Sequence, residues 1–226
     1  MPDIAANLAK VRERIAAACR RSGRDPSEVT LTAVVKTVTP KEISELYHLG
    51  IRDFGENRVA IGLEHKAALE LPGARWHMIG HLQKNKAAKL IRGGFGFIHS
   101  VESIRLLDIL DREAGEAGSR LGVLLEINIS GEEVKYGVSP GEALELARLA
   151  AGKENLDLLG LMTMAPLSDN PEAARPVFRK LAETRKIVEA GLGIRLPHLS
   201  MGMSGDLEPA VEEGATLVRV GAALFA

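Results

Sequence analysis

Only one cysteine, Cys19, occurs in the 226 residues, so no disulfide can close within the chain. Net charge is also nearly absent: 29 lysines and arginines face 30 aspartates and glutamates, a formal balance of −1. That balance gives no general pull toward nucleic acid or an anionic membrane. No basic-then-apolar leader opens the chain, and no apolar run reaches membrane-spanning length. A reducing, cytoplasmic setting is expected. Linkers, low-complexity tracts and internal repeats are missing too, so residues 1–226 are expected to form one domain. Metal-ligand spacing is likewise lacking. His77 and His81 lie four apart, but a strand followed by a loop does not put them on one face, and no metal is expected.

What is present is an ordinary globular balance, 46% hydrophobic and 26% charged, arranged in a regular alternation. Ile4, Leu8, Val11, Ile15 and Cys19 recur at helical steps and predict an amphipathic helix over 3–21. Thr30 to Thr37 then reads as a buried strand. Thr39-Pro40-Lys41-Glu42 opens a helix, with Thr39 at the N-cap, Pro40 at N1 and Glu42 closing a capping box. Further strands are predicted at 51–54, 76–79, 95–99, 121–129, 156–162, 197–201 and 216–220. A helix falls in each of the seven gaps. Ser139-Pro140-Gly141-Glu142 marks the start of the helix before 156–162, and Asn170-Pro171-Glu172 the start of the one after it. Eight strands alternating with helices predict a closed α/β (β/α)8 TIM barrel. The extra N-terminal helix would cover the gap after the last strand, which too little chain follows for a full helix. A doubly wound open sheet would use the same alternation.

In such barrels the active site lies at the C-terminal ends of the strands. Those ends read Lys36, Glu56 with Asn57, Gly80 with His81, His99, Asn128, Thr163, Ser200 to Ser204, and Arg219 with Gly221. Lys36 stands where an apolar run gives out. A lysine at a low-dielectric mouth is disfavoured as a cation, which frees its amine to attack a carbonyl. The same residue would also suit a side chain that snorkels into water. Barrels often hold phosphate with the loops after strands seven and eight, and here these are Ser200-Met201-Gly202-Met203-Ser204-Gly205 and Arg219-Val220-Gly221-Ala222. A lysine facing a phosphate site points to a phosphorylated aldehyde held as a Schiff base, with pyridoxal phosphate the leading candidate. Met162, Met164, Met201 and Met203 are expected to line the barrel and shape its mouth. The lysine and arginine face Lys84, Lys86, Lys89 and Arg92 reads as a solvated helix surface.

Val34-Val35-Lys36-Thr37, Phe54-Gly55-Glu56-Asn57-Arg58, Trp76-His77-Met78-Ile79-Gly80-His81-Leu82-Gln83, Gly160-Leu161-Met162-Thr163-Met164 and Leu199-Ser200-Met201-Gly202-Met203-Ser204 together resemble the signature segments of the pyridoxal phosphate homeostasis proteins. That family is similar in turn to the N-terminal barrel of alanine racemase. The resemblance runs from about residue 4 to the C-terminus. It implies a single barrel that binds pyridoxal phosphate, with Lys36 as the Schiff-base lysine and Ser200, Gly221 and Ala222 at the phosphate, assisted by Ser204. It implies Arg219 facing the pyridine nitrogen, where a cation cannot accept the ring proton and so weakens the electron sink. Asn57 falls near the cofactor face. Ala222 replaces a residue that is usually threonine or serine, Val38 stands where some members carry a second lysine, and Lys135 matches a lysine of the loop after strand five.

Three functions share these features. The first is a binding protein that buffers pyridoxal phosphate and delivers it to enzymes that require it, as a monomer and without turnover. The second is a racemase- or decarboxylase-like enzyme. Two-domain racemases bring a second base as a tyrosine from a partner's β-domain. Here the barrel uses the whole chain, and Tyr47 and Tyr136 are the only tyrosines. The third is an aldolase in which Lys36 attacks a sugar phosphate directly.

Overall fold

The computed structural model describes residues 2–132 and 136–226. Helix α1 spans Ile4–Ser22. Asp3 caps its start by accepting from the Ala6 N–H at 2.9 Å, and Gly23 ends it in the left-handed region at φ 67°. Its buried stripe is Ile4, Leu8, Val11, Ile15, Ala18 and Cys19.

Eight parallel strands follow: β1 Thr30–Val34, β2 Asp53–Glu56, β3 Arg75–Met78, β4 Phe97–Val101, β5 Leu121–Glu126, β6 Leu156–Met162, β7 His198–Ser200 and β8 Leu217–Val220. Each pairs with its sequence neighbour, and β1 pairs with β8, so the sheet closes into a barrel in order β1 to β8. Helices α2 Pro40–His48, α3 Val59–Ala68, α4 Ala87–Arg92, α5 Ile104–Glu116, α6 Ala143–Ala151, α7 Arg175–Leu192 and α8 Leu207–Glu212 fill the seven gaps, and a single turn, α9 Ala222–Phe225, follows β8. This is the (β/α)8 TIM barrel expected from the alternation. No helix among the described residues is long and apolar enough to cross a membrane.

The N-terminal helix does close the gap after β8. Arg14 of α1 pairs with Glu208 of α8 at 2.6 Å and donates to the Ser204 carbonyl at 3.0 Å. Asn7 donates to the Leu224 and Ala226 carbonyls. At α2 the Glu42 carboxylate accepts from the Thr39 N–H at 2.7 Å, as the capping box requires.

Several boundaries move. β1 ends at Val34 rather than Thr37, because Lys36 and Thr37 already turn toward the Thr39 cap. β2 begins two residues late, at Asp53. Ile51 packs into the core just before it. β5 ends at Glu126 rather than Ile129, where Asn128 is taken up by its loop, donating to the Glu132 carbonyl and accepting from the Gly131 N–H. Ser139 and Glu142 do pair through the Ser139 N–H at 2.9 Å, but the helix starts after them, at Ala143.

The large apolar core lies between the strands and the helices, with Ala33, Phe54, Ile98, Val123, Leu161, Leu199 and Val218 facing Leu46, Leu90, Leu107, Ala147 and Phe178. A separate small cluster, Leu124, Met162 and Leu217, joins β5, β6 and β8. Burial of this kind contributes about 25 cal/mol per Å² removed from water. The methionine expectation divides. Met162 sits in the small cluster, Met164 and Met203 reach the barrel mouth, and Met201 belongs to the outer core. Strand alternation explains the last: Ser200 and its successor point to opposite faces.

Candidate functional site

A cavity of about 880 Å³ opens at the C-terminal ends of the strands. Lys36, Asn57, Ser204, Arg219, Gly221 and Ala222 all line it. Ser200 does not. It is fully buried beneath the cavity, and its hydroxyl is engaged by Arg219 and His99. That hydroxyl points inward to Arg219, because β7 turns the Ser200 side chain into the barrel. Lys135 lies outside the described residues.

Arg219 is 4% exposed. Its Nη1 donates to the Ser200 hydroxyl at 2.6 Å and its Nη2 to the Thr163 carbonyl at 3.0 Å. Burial pushes its pKa down to about 10, against the opposing pull of the Glu126 and Asp206 charges. The guanidinium is therefore still a cation at neutral pH. Lys36 is the opposite case: an exposed side chain beyond the end of β1, with no hydrogen bond or ion pair among the described residues.

Between β8 and α9, Gly221 packs against Val34. A Cβ there would lie 3.2 Å from the Val34 Cβ. The Ala223 N–H donates to the Ser204 hydroxyl at 3.2 Å, tying the two loops together. Gly202, at φ 90°, sits so close to α8 that a Cβ would fall 2.5 Å from the Ala210 Cβ. Only glycine fits both that angle and that gap. Ala222 is exposed at the cavity edge and brings no hydroxyl. Asn57 is held by a close approach of backbones, since a Cβ on Gly80 would lie 2.8 Å from the Asn57 Cβ and 2.9 Å from its Cα.

Two cavity carboxyls escape the strand-end reading. Glu126 is 4% exposed, and burial, aided by the Glu102 charge and opposed by Arg219, raises its pKa to about 7. Burial also raises Asp206, although its carboxylate accepts from the Met203 N–H. A polar last residue on β5 would have signalled Glu126 had the strand been ended there.

Of the other strand-end residues, Gly80 and His81 line the cavity and Glu56 does not. Glu56 turns outward to His65 on α3, 2.7 Å away, and burial raises its pKa. His81 stacks on Tyr136 with ring centroids 4.0 Å apart and contacts Glu102 at 3.3 Å. Tyr136 lines the cavity, whereas the Tyr47 hydroxyl donates to the Pro72 carbonyl, away from it. His77 and His81 do not converge. His77 turns into the barrel toward Asp53 and His99.

The model of the alanine racemase N-terminal domain family matches residues 6–226. The chain is 44% identical over 218 residues to the pyridoxal phosphate homeostasis protein of Aquifex aeolicus, covering 96% of this chain and 95% of that protein. It is 40% identical over 231 residues to the pyridoxal phosphate homeostasis protein of Escherichia coli K12, covering 100% and 97%. Among solved structures, PipY of Synechococcus elongatus PCC7942 with pyridoxal phosphate bound superposes with a TM-score of 0.85 at 37% identity, covering 99% of this chain and all of that one.

Proposed function

The chain belongs to the family of the pyridoxal phosphate homeostasis proteins, within the alanine racemase N-terminal domain group, and from that premise we propose that it binds pyridoxal phosphate in the barrel mouth and serves to buffer and deliver it. The residues present fit the group. Lys36 offers an amine with no competing partner among the described residues, the backbone around Gly221 and Ala222 and the Ser204 hydroxyl suit the phosphate, and Arg219 presents a fixed donor for the pyridine ring. Asn57 borders the ring face. When bound, the cofactor supplies an aldehyde that Lys36 attaches covalently and reversibly.

The single observation that carries this reading is the pairing of an exposed lysine with a braced arginine across one cavity. An arginine at the ring nitrogen donates without giving up its proton, so the ring stays a poor electron sink. A weak electron sink suits holding the cofactor, and carriage rather than turnover is assigned because relatives at 40–44% identity are named homeostasis proteins. A second reading, a racemase-like enzyme, draws on Tyr136 at the cavity wall. Its ring is stacked on His81, which fixes it at the rim. The chain is taken as one domain acting as a monomer in the cytoplasm, with cofactor-requiring apoenzymes as recipients. The lone buried Cys19 suits a reducing compartment.

The test is borohydride reduction of the protein incubated with pyridoxal phosphate, followed by peptide mass mapping. The cofactor mass is expected on Lys36 alone. Attachment elsewhere, or none, overturns the assignment. Assay of amino-acid racemisation and decarboxylation by the loaded protein then separates carriage from turnover.

A further inference from the structure

The bracing of Arg219 does not stop at Ser200. The Ser200 hydroxyl contacts His99 Nδ1 at 2.9 Å. His99 Nε2 contacts His77 Nδ1 at 2.9 Å. His77 Nε2 contacts the Asp53 carboxylate at 3.0 Å. Asp53 is clamped in turn by Arg75, at 2.7 and 2.6 Å. Arg75 and Asp53 open strands β3 and β2, at the end of the barrel opposite the cavity, and the Arg75 side chain is half exposed. His77, His99 and Ser200 are each 2% exposed or less. A line of hydrogen bonds thus runs the length of the barrel, from solvent at Arg75 to the arginine in the cavity wall.

The direction of every proton in that line follows from its end. Burial alone would raise the Asp53 carboxyl, but the hydrogen bonds from His77 and Arg75 outweigh burial and hold it below the usual range. Asp53 therefore has only lone pairs to offer, and His77 must carry hydrogen on Nε2. Burial lowers both histidines, His99 well below its ordinary value. Both imidazoles are neutral, so the Nδ1 of His77 is bare and His99 must carry hydrogen on its own Nε2. His99 Nδ1 is then bare in turn, and the Ser200 hydroxyl donates to it. The lone pairs of Ser200 are left for Arg219. Each group donates toward Asp53, and no alternative tautomer of a neutral His99 satisfies both of its neighbours.

We propose that Asp53, His77, His99 and Ser200 are positioning residues, a one-way hydrogen-bond relay that aims Arg219 into the cavity, so that a change at the far end of the barrel is felt by the group bound at its mouth. The first half concerns the protein alone, whereas the second rests on the pyridoxal phosphate reading. Nitrogen-15 NMR of the histidines in the full chain tests the first half without any cofactor. Both His77 and His99 are expected as the Nε2–H tautomer, and an Nδ1–H His99 overturns the relay.

The second half is read from the visible band and the cofactor release rate of the pyridoxal phosphate-loaded protein. Ser200→Ala is expected to release cofactor roughly tenfold faster, the effect of losing one hydrogen bond to a charged group, and to shift the band. Ser200→Thr restores both. Asp53→Asn sets an amide N–H2 against donors that need two acceptors. It is expected to move the His99 resonances and shift the band, although Asp53 is no part of the cavity lining. A folded Asp53→Asn with wild-type resonances, band and release rate overturns the proposal. If Asp53→Asn does not fold, the wild-type tautomers and the Ser200 pair still decide. Failure of the wild type to take up any pyridoxal phosphate would instead sink the functional reading, with the NMR result standing on its own.

Discussion

The wall of the cavity and its rim are built on opposite principles. At the wall, Arg219 is 4% exposed and is held by two hydrogen bonds, one of them continued by four more side chains. At the rim, Lys36 is exposed and bonded to nothing described. A group that must orient a ligand gains from having its rotamer entropy removed in advance. A group that must form and break a bond gains from having no partner to give up. The same barrel supplies both because Arg219 lies within β8 and Lys36 lies two residues past the end of β1.

The sharpest way to break the contrast is to empty the wall. Arg219→Met removes a buried cation and leaves Ser200 and the Thr163 carbonyl without their donor. A loss of roughly 3 kcal/mol is expected in urea unfolding, and an unchanged midpoint would show that the bracing stabilises nothing.

Glu126→Gln probes the charge set against that arginine. The Glu126 pKa is raised from its ordinary value to about 7, so the folded state binds more protons than the unfolded one between about pH 4.5 and 7. Stability from this group is full below that window and falls as pH rises through it, by roughly 3 kcal/mol in all. Unfolding free energies measured from pH 5 to 8 should show that fall in wild type and a flatter profile in the variant. The variant should also be the more stable of the two at pH 8. A parallel decline in both would remove Glu126 from the account.

Gly80→Ala tests how the rim is held. Its Cβ would press on the backbone of Asn57, which cannot swing aside. A destabilisation of about 1–3 kcal/mol is expected, with weaker cofactor retention through a displaced Asn57. Wild-type retention would mean that Asn57 contributes little.

The smallest change is Ala222→Thr, which restores the hydroxyl that the family resemblance implies. One added hydrogen bond to the charged phosphate at an exposed edge is worth about 1.5 kcal/mol, so release should slow by roughly tenfold. No change in the release rate would place Ala222 away from the phosphate.

How much of this was legible in the chain depends on which face of a strand is concerned. The start of α2 at Thr39 is local, because a cap depends on residues within one turn of it, and it was readable, as was the extent of α1 to within a residue at each end. So was the order of strands and helices, and with it the barrel and the position of Lys36. The barrel interior was not. Asp53 follows another charged residue, Arg52, in the short strand predicted at 51–54, and its partners Arg75 and His77 lie 22 and 24 residues away. Nothing local tells an inward His77 from a histidine that merely finishes a strand. Glu126 was hidden for a related reason. The apolar run continues through Ile127 and Ile129, so the end of β5 carries no local mark. Ser200 shows the limit of motif reasoning. Its position in a glycine-serine loop suggested phosphate, whereas its strand face sends the hydroxyl inward to Arg219 and His99.

The measurement that bears most directly on the division between wall and rim is pyridoxal phosphate binding to Lys36→Ala, followed by equilibrium dialysis with borohydride reduction in parallel. The predicted result is that the variant still binds the cofactor, more weakly than wild type, through Arg219 and the loops after β7 and β8, while reduction fixes none of it. Loss of all binding would mean that the lysine alone holds the cofactor and that the braced wall does not. Continued covalent trapping would mean that the reactive amine is not Lys36.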